Sequence, residues 1–241
     1  GKRFYLGHTR LSILDLTSRG NQPMLSKDKK HAIIFNGEIY NHNELRENIL
    51  TDVNFISNSD TETLLYGLIK YGETFLNKIN GIFCFAFIDL SNGNFIVARD
   101  FFGIKPLYYH LNNSEFFFSS ELKAICPHLD KKTLDINALR NYINFLWSPG
   151  EITPINEIKR LKPGHLVSGN LNSLKNINFK KYYKIQFPTS YDYSIDNEDL
   201  LIDKLENKLI NVVKRQLLSD APVGFFLSGG LDSSLILAIA K

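Results

Sequence analysis

One short segment is apolar on both faces of a strand, and it constrains the fold more than any other part of the chain. In residues 82–89, Phe83, Phe85 and Phe87 alternate with Ile82, Cys84, Ala86 and Ile88. Successive side chains of a strand point to opposite sides of its sheet, so this strand needs apolar cover on both sides. The segment therefore predicts a sheet that is buried between two other layers.

Further β-type runs lie elsewhere in the first half of the chain, with two helical patterns between them. The runs are at 4–6, 31–35, 95–98 and 116–118, and the helical patterns are at 43–50 and 60–79. Ser59 or Asp60 would cap the second helix. Because 44% of the 241 residues are apolar, the chain can bury a sizeable core. These features predict an α+β fold, an α/β/β/α sandwich with antiparallel sheets.

A glycine-rich loop, SGGLDSS, occupies residues 228–234. It joins an apolar run at 222–227, which predicts a strand, to an apolar helix pattern over 233–240. Glycines allow the backbone close to an anion, and the N–H groups and dipole at a helix start attract it. The loop has neither the Walker A pattern nor the dinucleotide-binding pattern. It therefore predicts a pyrophosphate site of another type, with a glycine turn before a capped core helix as the simpler alternative.

A second polar cluster directly follows the predicted strand at 31–35. Asn36, Gly37 and Glu38 offer a side-chain amide, a freed backbone N–H and a carboxylate. Amide hydrolysis needs donors aimed at a developing oxyanion, and an α-amino acid needs an anion for its ammonium and a cation for its carboxylate. Arg10 could supply the cation and Asp60 a second anion. Each feature alone has an ordinary alternative: a hairpin turn, a surface ion pair and a helix cap.

Together with SGGLDSS, this cluster resembles the class II glutamine amidotransferase half of glutamine-dependent asparagine synthetases. The resemblance follows the family's order across nearly the whole chain, in segments at 8–13, 36–41, 59–60, 81–83, 99–109, 119–124 and 162–165. It implies a sandwich of the N-terminal-nucleophile type. Asn36 and Gly37 would then form the catalytic oxyanion hole. Arg10 would bind the carboxylate of glutamine, while Glu38 and Asp60 would hold its amino group.

The SGGLDSS loop resembles that of the ATP pyrophosphatases, synthetases that cleave ATP to AMP and pyrophosphate. This resemblance implies ATP and Mg²⁺ as cofactors, with Asp232 helping to bind the metal. The implied ATP-binding residues are Leu227, Ser228, Gly229, Gly230, Asp232, Ser233 and Ser234. The implied reaction of the parent protein uses ammonia from glutamine to convert aspartate to asparagine through an acyl-adenylate.

The resemblance and the composition divide the chain into three parts. Residues 1–165 would form the amidotransferase domain, 166–199 a linker region, and 200–241 the beginning of an α/β ATP-pyrophosphatase domain. An amphipathic helix pattern over 200–217 opens the third part.

One departure from the family concerns the nucleophile. The family uses an N-terminal cysteine whose own α-amine acts as the base, whereas this sequence begins at Gly1. Cys84 lies within the two-sided strand and Cys126 precedes Pro127, so both cysteines are expected to be structural. We therefore expect a sequence that is shortened at both ends and that is inactive by itself in both half-reactions.

Two alternatives stay open. A related ATP-dependent amidotransferase could act on another carboxylate, because acceptor specificity would lie mostly beyond Lys241. A catalytically silent glutamine-binding module could instead keep the fold without the nucleophile. A natural chain that begins with cysteine would favour catalysis over the silent module.

Charge and composition limit the kinds of binding partner that we expect. The net charge of +3 comes from 28 basic and 25 acidic residues with no concentrated basic face, so no nucleic acid is expected. No apolar run approaches the roughly 18 residues of a membrane span, so no membrane partner is expected. Two cysteines fit a reducing compartment, with the cytoplasm as the expected location. The expected small-molecule partners are glutamine, aspartate and ATP, and the resemblance suggests a homodimer.

Overall fold

The computed structural model describes residues 4–187 and 198–241. Its strands are β1 (Met24–Leu25), β2 (His31–Ile39), β3 (Gly81–Asp89), β4 (Asn94–Arg99), β5 (Tyr108–Leu111), β6 (Phe116–Ser119), β7 (Lys159–Arg160), β8 (His165–Asn170) and β9 (Ser173–Lys181). Its α-helices are α1 (His42–Asn48), α2 (Asp60–Tyr71), α3 (Leu122–Ile125), α4 (Ile136–Phe145), α5 (Glu198–Gln216) and α6 (Leu231–Ala240). Segments of 3-10 helix lie at Ser18–Gly20, Gly72–Lys78 and Cys126–His128.

Two antiparallel sheets form the body of the fold. The larger has the strand order β1-β2-β3-β4-β8-β9, and the smaller has the order β6-β5-β7. All nine residues of β2 pair with β3 in a continuous register, which sets Asn36 opposite Cys84 and Gly37 opposite Phe83. The predicted oxyanion residues therefore lie beside the central strand.

Strand β3 is buried on both faces, as its sequence predicts. Its three phenylalanines share a core with α1 and α2, whereas Cys84, Ala86 and Ile88 pack against the smaller sheet. Helix α3 covers the far side of that smaller sheet through Ile125, which is 2% exposed. The layers run helices, large sheet, small sheet, helix. The predicted α+β sandwich with antiparallel sheets is confirmed.

Local residues determine where α2 begins and ends. The Ser59 hydroxyl accepts a hydrogen bond from the backbone N–H of Thr61 at 3.2 Å, so Ser59 rather than Asp60 is the N-cap. After Tyr71, Gly72 has a φ of 57°, a left-handed conformation that glycine adopts without a Cβ clash. The chain continues as 3-10 helix to Lys78, so the prediction of one helix over 60–79 is wrong beyond Tyr71.

Other sequence expectations differ from the structure. Residues 4–6 and 222–227 form no strand, because no described segment pairs with them. Residues 166–181, expected to lie in the linker region, instead extend the larger sheet as most of β8 and all of β9, hydrogen-bonded to β4 and to each other. Within the same expected linker, residues 188–197 lie outside the described ranges. The division into domains itself stays a prediction.

The helix predicted over 200–217 is present as α5, and it contacts α6. Apolar side chains of both helices are exposed, among them Leu205, Val212 and Leu235. Across residues 4–187 and 198–241, no helix has both the length and the apolar character that crossing a membrane requires.

Candidate functional site

A cavity of about 610 Å³ opens beside β2 and β3. Its lining includes every residue predicted to handle glutamine: Arg10, Asn36, Gly37, Glu38 and Asp60. These residues come from three separate segments of the chain, which the fold brings together. The cavity therefore combines a cation, an amide and two carboxylates within the volume of a small-molecule site.

Three backbone carbonyls hold the guanidinium of Arg10. Its Nη1 donates to the oxygen of Thr17 at 3.0 Å, and its Nη2 donates to the oxygens of Leu14 and Asp15 at 2.7 and 2.6 Å. A Cβ at Gly20 would lie 2.1 Å from Nη2, so the guanidinium needs glycine beside it. No carboxylate in the described part of the chain forms an ion pair with Arg10. Its charge is therefore oriented and available to a ligand anion.

The backbones of β2 and β3 approach closely at Gly37. A Cβ there would lie 2.1 Å from the carbonyl oxygen of Ile82 and 2.7 Å from the Cα of Phe83. The Asn36-Gly37 pair lies inside β2, so the alternative of a hairpin turn is wrong. The close packing of the two strands therefore requires glycine at position 37. Asn36, the residue before it in β2, lines the cavity.

The two carboxylates of the cavity have unusual electrostatics. Burial, and then the charge of Asp60, raise the pKa of Glu38 to about 7, while Lys105 acts in the opposite direction. Burial raises the pKa of Asp60 to about 6, although its Oδ2 accepts a hydrogen bond from the backbone N–H of Ile39 at 2.9 Å. Perturbed carboxylates in a cleft are typical of functional sites. A ligand ammonium would relieve their repulsion.

Lys105 is a site residue that sequence reasoning missed. It lines the cavity, and its charge lowers the pKa of Glu38. The loop that carries it is held by Asp100, which is 1% exposed and accepts hydrogen bonds from the backbone N–H groups of Phe102, Ile104 and Lys105 at 2.9 to 3.1 Å. Arg99 holds the same loop through the carbonyl oxygens of Gly103 and Lys105, and it also donates to that of Leu161, just after β7. The sequence places Lys105 in the family-like segment at 99–109, but it does not indicate that the lysine approaches Glu38.

Gln22 was missed as well. Its side-chain amide donates to the carbonyl oxygen of Phe35 at 3.0 Å and accepts from the N–H of Phe35 at 2.6 Å. The amide thus pairs with β2 as a neighbouring strand would, one residue before Asn36. No periodicity in the sequence signals such a contact.

Neither cysteine has the properties of a nucleophile. Cys84 lines the cavity, but burial raises the pKa of its thiol to about 12, so it is protonated at neutral pH. Cys126 begins a 3-10 turn and joins the small core around Ile125. Both positions agree with the structural roles expected for them.

The SGGLDSS loop contributes no residue to the cavity. Gly229 has a φ of 79°, and the Ser228 and Ser233 hydroxyls lie 3.0 Å apart. The Ser234 hydroxyl donates to the oxygen of Gly230 at 2.8 Å. Helix α6 begins at Leu231, two residues earlier than predicted. Leu227 is exposed just before the loop.

Asp232 lies in the first turn of α6 and is exposed. The structure brings no cluster of three or more histidine, cysteine, aspartate or glutamate side chains together as metal ligands within the described ranges. Asp232 is therefore a lone carboxylate beside the loop hydroxyls, and its metal role stays a prediction.

Comparison with known proteins defines the protein family of this chain. Residues 1–183 match the family model of the glutamine amidotransferase domain. The chain therefore belongs to the glutamine amidotransferase family. Residues 204–241 match a second model, described as asparagine synthase.

Two curated relatives and one solved structure are among the proteins that this chain resembles. The chain is 38% identical, over 98% of its own length and 36% of the relative's, to glutamine-hydrolyzing asparagine synthetase 1 of Bacillus subtilis (strain 168). It is 30% identical, over 96% of its length and 34% of the relative's, to amidase chyE of Penicillium rubens. A solved glutamine phosphoribosylpyrophosphate amidotransferase from B. subtilis matches with a TM-score of 0.49 and 17% identity, over 97% of this chain and 49% of that one. The chain spans about a third of the length of these two curated relatives.

Proposed function

We propose that the protein carrying this chain hydrolyses glutamine in the cavity beside β2 and uses the ammonia for ATP-dependent synthesis of asparagine from aspartate. The observation that carries this proposal is the convergence of Arg10, the 36–38 segment and Asp60 on one cavity. The family membership and the name of the Bacillus subtilis relative support it.

Residues of this chain would bind both charged groups on the α-carbon of glutamine, its carboxylate and its ammonium. Arg10 would pair with the carboxylate, since its guanidinium is held by carbonyls and forms no ion pair with a carboxylate of residues 4–187 or 198–241. Glu38 and Asp60 would receive the ammonium, which would favour the ionised form of both. The amide of the substrate would then extend toward Asn36 and Gly37, where an oxyanion could be stabilised.

Hydrolysis also needs a nucleophile, and the Cys84 thiol is unsuited to that role because it stays protonated. The family resemblance assigns that role to an N-terminal cysteine whose α-amine takes the proton from the thiol. The thiolate would attack the amide carbon and ammonia would leave. Water would then release glutamate from the acyl-enzyme.

The SGGLDSS loop fits a pyrophosphate group chemically. No atom lies within 4 Å of the position of a Cβ at Gly229, so the loop leaves its backbone open to a ligand. The hydroxyls of Ser228, Ser233 and Ser234 and the N-terminus of α6 would bind phosphate oxygens, and Asp232 would help to hold Mg²⁺. When bound, ATP supplies the adenylyl group that activates the acceptor carboxylate. A cytoplasmic location and a homodimer remain expectations from the composition and the resemblance.

A second candidate is transfer of ammonia to a carboxylate other than that of aspartate. The similarity to amidase chyE favours it, because that relative matches over nearly the same residues. The glutamine cavity would be the same in both cases. Amide products formed from aspartate and from other carboxylic acids would separate the two.

The proposal is tested by replacing Arg10 in the full-length protein. We expect Arg10→Ala to raise the KM for glutamine about a hundredfold while leaving ammonia-dependent synthesis unchanged. Arg140→Ala, which removes an exposed arginine of α4, is the matched control. N-terminal sequencing of the same preparation would identify the nucleophile. Absence of glutamate release from the wild-type protein would overturn the proposal and favour a silent glutamine-binding module or an enzyme that uses free ammonia.

A further inference from the structure

A short segment between α5 and the SGGLDSS loop docks on the rim of the cavity. The Oδ2 of Asp220 accepts a hydrogen bond from the backbone N–H of Asp15 at 2.7 Å. The backbone N–H of Asp220 in turn donates to the carbonyl oxygen of Ile13 at 2.9 Å. Asp220 therefore makes both contacts with a segment that is distant in sequence, since Asp15 and Asp220 are 205 positions apart.

The N–H that Asp220 binds belongs to the same peptide unit as one of the three oxygens that hold Arg10. The carbonyl of Leu14 and the N–H of Asp15 form one planar group. Its oxygen accepts from the Nη2 of Arg10 at 2.7 Å while its N–H donates to Asp220. Hydrogen bonds at both ends of a peptide polarise and strengthen one another. The carboxylate thus acts on the guanidinium through a single rigid amide.

Asp15 is buried, and its backbone has a positive φ. It is 4% exposed and has a φ of 50°, a conformation that is uncommon outside glycine and that aspartate adopts more readily than most residues. Its own oxygens also connect parts of the cavity: the carbonyl accepts from Arg10, and Oδ2 accepts from the N–H of Asn58 at 2.9 Å, two residues before Asp60. A change in how Asp15 is held would therefore reach both ends of the proposed glutamine site.

We propose that Asp220 is a positioning residue for the glutamine site, which it orders by holding the Leu14–Asp15 peptide that holds Arg10. The inference rests on the proposed function of the cavity. It makes the site depend on a residue of the segment that leads into the SGGLDSS loop, eight positions before Ser228. Glutamine would then bind more tightly when this segment is docked beside Leu14 and Asp15.

The test compares three variants of the full-length protein. Asp220→Ala removes the acceptor, and Asp220→Asn keeps an amide oxygen in its place. Arg215→Ala breaks a separate contact, the 3.2 Å ion pair between α5 and Glu44. For each variant, KM and kcat are measured for glutamate release from glutamine and for synthesis with free ammonia.

We expect Asp220→Ala to raise the KM for glutamine about tenfold, since a charge-assisted hydrogen bond is lost, with ammonia-dependent kcat unchanged. Asp220→Asn should recover most of the affinity, and Arg215→Ala should match the wild type. An unchanged KM for glutamine in Asp220→Ala would overturn the inference, and so would an equal loss of both activities. If the wild-type protein releases no glutamate, the proposed function fails and this inference fails with it, whereas hydrolysis with an unchanged KM removes the inference alone.

Discussion

Glu38 and Asp60 line the same cavity, where burial and then the charge of Asp60 raise the pKa of Glu38 to about 7. Two buried carboxylates in one cavity oppose each other's ionisation and the stability of the fold, and the charge of Lys105 offsets this only in part for Glu38. A cationic group of a ligand would offset the remaining repulsion. The pair therefore supports the proposed binding of a substrate ammonium in this cavity.

Replacement of Glu38 should reveal this cost as a function of pH. The pKa of Glu38 is raised in the folded state from 4.5 to about 7, so the folded protein binds more protons than the unfolded one between these values. The stability contribution of Glu38 is then lost as pH rises through that window. We expect Glu38→Gln to gain about 1 kcal/mol over wild type between about pH 4 and pH 8, after allowance for solvent screening.

Urea unfolding at the two pH values measures this gain. Glu47→Gln, which changes an exposed glutamate of α1, should show no comparable pH-dependent difference from wild type. A Glu38→Gln variant whose stability difference is the same at both pH values would contradict the electrostatic interpretation.

Gly20→Ala should impair glutamine binding with little loss of stability. The new Cβ would lie 2.1 Å from Nη2 of Arg10, and the end of a flexible side chain can move aside. Displacement of the guanidinium from its three carbonyls should raise the KM for glutamine about tenfold. Steady-state kinetics on the full-length protein check this, with Ser18→Ala in the same 3-10 turn as the control. An unaltered KM would show that Arg10 does not need this position.

Gly37→Ala should instead destabilise the fold. The obstacle at 2.1 Å is the backbone oxygen of Ile82, which cannot move without separating β2 from β3. We expect a loss of at least about 2 kcal/mol in the free energy of unfolding. Gly224→Ala, where no atom lies within 4 Å of the added Cβ, is the matched substitution. Equal stability of the two variants in urea unfolding would rule out the close strand approach.

Asp100→Ala should release the loop that carries Lys105. The substitution leaves the backbone N–H groups of that loop without their buried acceptor, at an expected cost of about 3 kcal/mol. Asp130→Ala, at an exposed position, should change the free energy of unfolding by no more than about 0.5 kcal/mol. The denaturant midpoints of the two variants are compared with that of the wild type. A small change for Asp100→Ala would mean that other contacts hold the loop.

Sequence reasoning succeeded where the information is local. The alternation of β3 required two covered faces, and the polar residue before α2 marked its cap. Gly72 was also visible, but the apolar period that continues past it extended the prediction too far. Arg10 and Asp60 were identified through motifs, and the fold then placed them with Glu38 in one cavity.

The features that were missed depend on tertiary contact. A strand at 222–227 needs a neighbouring strand, and no described segment supplies one. The pairing of Gln22 with Phe35 and the approach of Lys105 to Glu38 join residues with no shared period or motif. Such contacts follow from how the layers pack, which single-sequence patterns do not specify.

The most direct measurement follows the amide nitrogen of glutamine. The full-length protein is incubated with amide-nitrogen-labelled glutamine, aspartate, ATP and Mg²⁺, and the products are separated by mass spectrometry. We predict labelled asparagine together with glutamate, AMP and pyrophosphate in equal amounts, and loss of the label transfer in Arg10→Ala. Glutamine that stays intact, or ammonia that never reaches asparagine, would contradict the proposed function.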